Sequence, residues 1–156
     1  MRQAGRNIIL ILASGGGVGY VPYCPGTVGT LIAVPLSLAV NHLAMTDPLL
    51  AAISLASLTA IAIGLADAAS RALSIKDPPV IVVDEIAGFV LANFLNTSGP
   101  GLLIAFVAFR FFDITKIFPA KSLEALPGGA GIVLDDIVAG LYAFLILRLI
   151  SASGWL

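Results

Sequence analysis

Four short segments of this 156-residue chain hold residue types that handle divalent cations and phosphate. Two carry adjacent carboxylates in apolar surroundings: Asp84-Glu85 between Val80-Ile81-Val82-Val83 and Ile86-Ala87, and Asp135-Asp136 between Ile132-Val133-Leu134 and Ile137-Val138. Charged pairs inside such runs are costly unless they are paired or hold a metal. In the third, residues 109–116, Arg110 and Asp113 are three apart and share one helical face. Arginine offers a bidentate phosphate clamp and aspartate a hard oxygen for a cation. The fourth, residues 14–30, is dense in Gly and Pro and runs into an apolar stretch. Converging backbone N–H groups and the positive end of the following helix favour an anion there. The combination predicts metal-assisted transfer or hydrolysis of a phosphoryl group, with Mg²⁺ as the ion that suits hard oxygens and leaves room for substrate phosphate.

Each feature has a plainer reading. The glycine-rich segment lacks the Gly-Lys-Ser/Thr ending of a Walker loop and the βαβ context of a dinucleotide site, so alone it is a flexible connection into the membrane. Arg110 and Asp113 could form a surface ion pair. The glycine turn at 126–131 is expected to deliver Asp135-Asp136 at a helix start, where carboxylates could merely complement the dipole. Asp67, Arg71, Lys121 and Glu124 read equally well as loop charges. Gly88, one turn after Asp84, leaves space for either an ion or a neighbouring helix.

Hydrophobic residues make up 59 % of the chain and charged residues 11 %, with a mean hydropathy of +1.06, too apolar for a soluble domain of this size to cover its surface. A net charge of −1 gives no basic field for nucleic acid, and a single cysteine, Cys24, forms neither an internal disulfide nor a zinc site. Residues 1–13 resemble the start of a signal peptide but lack a clean cleavage site, and are read as retained.

Nearly charge-free stretches at 27–46 and 48–66 are long enough to span the bilayer. The stretch 86–109 is broken by the turn cluster at 96–101 and reads as a helical hairpin, while 137–147 extends to Leu156 if Arg148 snorkels. Pro35 is expected to kink the first span. Arg2, Arg6, Arg71, Lys76, Arg110, Lys116 and Lys121 then fall on one side, and the opposite connections hold no Lys or Arg, which places the basic side in the cytoplasm. The expectation is an all-α, multi-helix membrane bundle with glycine-rich cytoplasmic loops, formed by one domain over residues 1–156.

The blocks Pro25-Gly26-Thr27-x-Gly29-Thr30, Asp77-Pro78 with Val83-Asp84-Glu85-x-x-Gly88, Phe109-Arg110-x-Phe112-Asp113-x-x-Lys116, and Gly128-Gly129-x-Gly131-Ile132-x-x-Asp135-Asp136-x-x-Ala139-Gly140 resemble, in order, the signature blocks of the phosphatidylglycerophosphatase A family. The resemblance implies an all-helical, Mg²⁺-dependent enzyme that hydrolyses phosphatidylglycerophosphate to phosphatidylglycerol and phosphate in bacterial phospholipid synthesis, and hence a multi-pass protein of the inner membrane. One departure is that Lys116-Ile117-Phe118-Pro119 stands where the family has Lys-Pro-x-Pro.

On this reading Asp84, Glu85, Asp113, Asp135 and Asp136 are the metal ligands, with the base for water among them. Arg110, Lys116 and the Pro25-Gly26-Thr27 backbone hold the lipid phosphate. Phospholipid and membrane are the expected partners, and homo-oligomerisation is left open. Cysteine-based and aspartyl-phosphate mechanisms lack their motifs: the residue six after Cys24 is Thr30, and no Asp-x-Asp occurs. A histidine mechanism is disfavoured because His42, the lone histidine, falls on the opposite membrane side. The competing readings are a small cation-coupled transporter, whose carboxylates would sit near mid-membrane, and an inactive assembly module.

Overall fold

The computed structural model describes residues 3–155, so Arg2 and Leu156 lie outside the described residues. It contains seven α-helices and no strand among those residues: α1 Gln3–Ala13, α2 Pro25–Thr46, α3 Pro48–Leu73, α4 Val83–Ala92, α5 Gly99–Thr115, α6 Ala120–Leu123 and α7 Gly129–Ala152. Three of them, α2, α3 and α7, are long and apolar enough to cross a membrane. At 1.5 Å per residue they measure roughly 33, 39 and 36 Å against about 30 Å of hydrocarbon.

The helix boundaries follow local chemistry. Pro25 opens α2 and Pro48 opens α3, where a missing N–H costs nothing. The Asp47 side chain caps α3 by accepting from Leu50 N at 2.9 Å, and the Ser98 hydroxyl caps α5 by accepting from Gly101 N at 2.9 Å. α2 is a single helix through Pro35.

The stretch 86–109 resolves into α4 and α5, the expected hairpin, and its short arm is too short to cross: ten residues cover about 15 Å. The tip of this hairpin is tied to α2 by a buried amide. Asn41 Nδ2 donates to the carbonyls of Asn93 at 2.7 Å and Asn96 at 3.0 Å, while its Oδ1 accepts from Leu95 N at 2.8 Å. Every polar group of that side chain is used, as burial in an apolar bundle demands.

The interior is rich in alanine packed around a few large side chains such as Phe89, Phe109 and Leu147, and the outer surface carries large apolar residues. Ala33, Ala62, Ala66, Ala87, Ala105, Ala139 and Ala143 are fully buried, whereas Ile53, Ile61, Leu103, Val107 and Leu149 are more than half exposed. That distribution suits a lipid surround, where helices gain by close van der Waals approach. The tightest crossing joins α4 to α7. A Cβ on Gly140 would overlap the Gly88 carbonyl, and one on Gly88 would lie 2.7 Å from the Asp136 carbonyl and from the Phe109 ring. The space beside Asp84 is therefore taken by a helix. Arg148 extends over the Phe144 ring, 5.6 Å from its centroid, one turn earlier in α7.

Gly140→Ala should lower stability by about 1–3 kcal/mol, because the opposing atoms are backbone and cannot move aside. Gly64→Ala, in α3 with nothing within 4 Å of the added carbon, should be neutral or stabilising. Thermal unfolding of both variants in detergent checks the contrast.

Candidate active site

The end of the bundle where α2 starts, α4 starts, α5 ends and α7 starts gathers nearly all the acidic side chains. A cavity of about 190 Å³ there is lined by Pro25, Asp77, Asp84, Glu85, Asp113, Lys116, Asp135 and Asp136, with Pro78, Pro79, Ile81 and Ile132 between them. All five carboxylates expected as metal ligands line it. Asp84, Glu85 and Asp136 each offer an oxygen, and these oxygens lie within 4.8 Å of one another. Asp113 and Asp135 are instead engaged by cations.

Local structure explains the grouping. Asp84 and Glu85 occupy the first turn of α4. Asp135 and Asp136 stand further along than the glycine turn suggested, about two turns into α7, whose first turn has no acidic residue. Helix-dipole complementation thus does not account for that pair. Gly128, with φ of +67°, adopts a conformation glycine alone accepts readily, and Gly129 abuts the backbone of Ile63 and Asp67 on α3. This close approach seats the start of α7 beside α3.

Arg110 and Lys116 provide the positive charge. An Arg110 nitrogen donates to Asp113 Oδ2 and lies 4.0 Å from Glu85 Oε1. Both members of the Arg110–Asp113 pair are largely buried, so a solvated surface pair is ruled out. Lys116 caps α5 in the left-handed region with φ of +45°, and its ammonium donates to Asp135 Oδ2 at 2.7 Å and to Glu124. Burial alone would pull the Lys116 ammonium down, but its hydrogen bonds to Asp135 and Glu124 prevail and hold it above its ordinary range. Burial, and after it the neighbouring Glu85 carboxylate, push Asp84 well above the usual carboxylate range, and burial likewise raises Glu85.

The carboxylates outnumber the cations, and several buried oxygens have no partner: Glu85 Oε2, Asp135 Oδ1 and Asp136 Oδ2. Orphaned carboxylate oxygens in a cluster of hard donors fit a divalent cation. No histidine or cysteine lines the cavity, which disfavours a softer ion such as Zn²⁺.

Of the glycine-rich segment, only its last part reaches the cavity. Pro25 lines it, and a Cβ on Gly26 would overlap Glu85 Oε1 and lie 3.0 Å from an Arg110 nitrogen. Thr27 follows in the first turn of α2, where backbone N–H groups lack intrahelical partners. Upstream, Gly19 packs on the Val80 carbonyl and Gly15 against Ile32 and Val82, so those glycines serve helix packing. Sequence reasoning passed over two participants. Asp77 lines the cavity, and its pairing with Pro78 was the available signal. Glu124 gave none, since it reaches Lys116 across the α5–α7 connection.

The phosphatidylglycerophosphatase A family model matches residues 11–151. The chain belongs to that family. It is 35 % identical over 144 residues to a Haemophilus influenzae protein named phosphatidylglycerophosphatase A, covering 90 % of this chain and 87 % of that one. An Escherichia coli K12 protein of the same name is 32 % identical over 146 residues, 90 % of this chain and 82 % of that one. A Bacteroides thetaiotaomicron protein, provisionally named a phosphatidylinositol-3-phosphatase, is 30 % identical over 152 residues, 94 % and 93 % of the two chains. No solved structure matches the chain. As a phosphatidylglycerophosphatase A family member the chain is a phosphatase of phospholipid metabolism, and the transporter and inactive-module readings fall away.

Gly26→Ala should cut phosphate release at least about tenfold while leaving the unfolding temperature nearly unchanged. The added methyl displaces the ends of two flexible side chains, Glu85 and Arg110, rather than backbone. Paired activity and melting measurements on this variant provide the check.

Proposed function

We propose that this chain hydrolyses the terminal phosphomonoester of phosphatidylglycerophosphate to phosphatidylglycerol and phosphate, using Mg²⁺. On this reading the whole chain is one domain of the bacterial inner membrane, with the acidic cavity at the cytoplasmic face. The observation that carries the proposal is the convergence of Asp84, Glu85 and Asp136 at the end of a membrane bundle, beside Arg110 and the start of α2.

Asp84, Glu85 and Asp136 would hold the cation, with Asp113 and Asp135 as further oxygen donors in the same cavity. When bound, Mg²⁺ polarises the phosphoryl group and favours ionisation of water. Arg110 clamps phosphoryl oxygens, and the N–H groups at the start of α2 add an anion-binding helix end that Gly26 keeps accessible. A carboxylate oxygen lacking a partner accepts a proton from the attacking water as its oxygen bonds to phosphorus. The bond from phosphorus to the glycerol oxygen breaks, and the proton taken up by the carboxylate passes to that oxygen, so that the alcohol leaves neutral and the carboxylate is restored. The basic residues Arg6, Arg71, Lys76, Arg110, Lys116 and Lys121 support the cytoplasmic placement, since toward the opposite end stands only Arg148, near the end of α7, and no Lys or Arg lies between α2 and α3.

The Bacteroides relative's name makes phosphatidylinositol 3-phosphate the competing substrate. Purified protein is expected to release phosphate from phosphatidylglycerophosphate in detergent micelles only with Mg²⁺, and at least about tenfold more slowly from phosphatidylinositol 3-phosphate. Asp84→Asn and Asp136→Asn should each lower the rate by about a hundredfold or more. Full activity in both variants, or undiminished release in chelator, would refute the site. A preference for the inositol lipid would refute the substrate.

A further inference from the structure

Glu124 stands outside the acidic cavity yet touches it through one intermediary. Its carboxylate accepts from the Lys116 ammonium, which also donates to Asp135 Oδ2 at 2.7 Å. Asp135 is the innermost member: its side chain is 5 % exposed, against 30 % for Lys116 and 39 % for Glu124. The other Asp135 oxygen, Oδ1, is buried with no partner, and Asp136 follows in sequence. Glu124 lines an adjoining cavity with Lys76 and Gly128, which shares Asp77 and Ile132 with the acidic one, and is itself absent from the walls of the acidic one.

We infer that Glu124 is a positioning residue, which draws Lys116 partly away from Asp135 so that this carboxylate keeps an oxygen for the divalent ion. The inference rests on the metal reading given above and adds to it a residue that makes no contact with ion or substrate. An ammonium shared between two carboxylates leaves each less neutralised than one bound to a single partner. Remove Glu124, and the full Lys116 charge settles on Asp135. The placement of Lys116 makes the sharing geometric: its left-handed backbone at the end of α5 leads into the short connection that carries Glu124, eight residues on.

Loss of any nearby negative charge weakens cation binding through space, so a single variant cannot separate that effect from relay through the lysine. A double-mutant cycle separates them. The experiment is Mn²⁺ binding to the full chain in detergent, followed by electron paramagnetic resonance. Glu124→Gln should raise the Mn²⁺ dissociation constant about fivefold in the otherwise native chain, and by less than about twofold in a Lys116→Met background. An equal effect in both backgrounds would show a through-space charge and overturn the proposal. No effect in the native background would overturn it too. If Lys116→Met does not fold, Asp135→Asn supplies the second background with the same expectation, because the relay ends at that residue. Failure of the unmodified chain to bind Mn²⁺ would overturn the metal reading and this proposal together, and is thereby distinguished from failure of the relay alone.

Discussion

Carboxylates held together out of water repel one another, and the acidic end of this bundle is organised around that repulsion. Asp84, Glu85 and Asp136 bring oxygens within 4.8 Å of one another, and the first and last are more than nine-tenths buried. Such a group persists by taking up protons or with compensating positive charge. Arg110 and Lys116 supply part of it, each paired with an outlying carboxylate, Asp113 and Asp135. The inner three remain under-neutralised, which is the condition a divalent cation meets. On the proposed reading, a cation among these carboxylates would let the site hold an anionic phosphate.

The membrane bundle positions this cluster by close approach of backbones. Gly88 and Gly140 let α4 and α7 touch, so that Asp84 and Asp136 share one cavity from separate helices. Gly128 and Gly129 set α7 against α3, and Gly26 brings α2 to the edge of Glu85 and Arg110. At the other end of the hairpin, Asn41 holds the turn between α4 and α5. The short α4 delivers its carboxylates at one end of the bundle and ends at the Asn93 turn inside it. Glycine therefore plays two roles that composition alone does not separate: helix contact at most positions, and close approach of the Glu85 and Arg110 side chains at Gly26.

Much of this was legible in the residue order. Charge-free lengths matched to bilayer thickness marked α2 and α3, and the 96–101 turn divided α4 from α5, because hydrocarbon tolerates little else over such distances. Carboxylate pairs in apolar runs pointed to the segments that meet at the acidic cavity, since charge in such runs calls for a partner or an ion. The register within elements was less accessible. The glycines at 128–131 suggested that Asp135 and Asp136 begin a helix, whereas α7 starts at Gly129 and carries them two turns in. Which glycines face the site, which carboxylates pair with cations, and the reach of Glu124 to Lys116 depend on packing between distant segments. No local pattern encodes those contacts.

The central claim is that Asp84, Glu85 and Asp136 bind one divalent ion, and anomalous diffraction from crystals grown with Mn²⁺ tests it most directly. The account predicts an anomalous peak among the three carboxylates, within coordinating distance of an oxygen from each. Ordered carboxylates with no peak between them, or a manganese ion held elsewhere in the bundle, would contradict it.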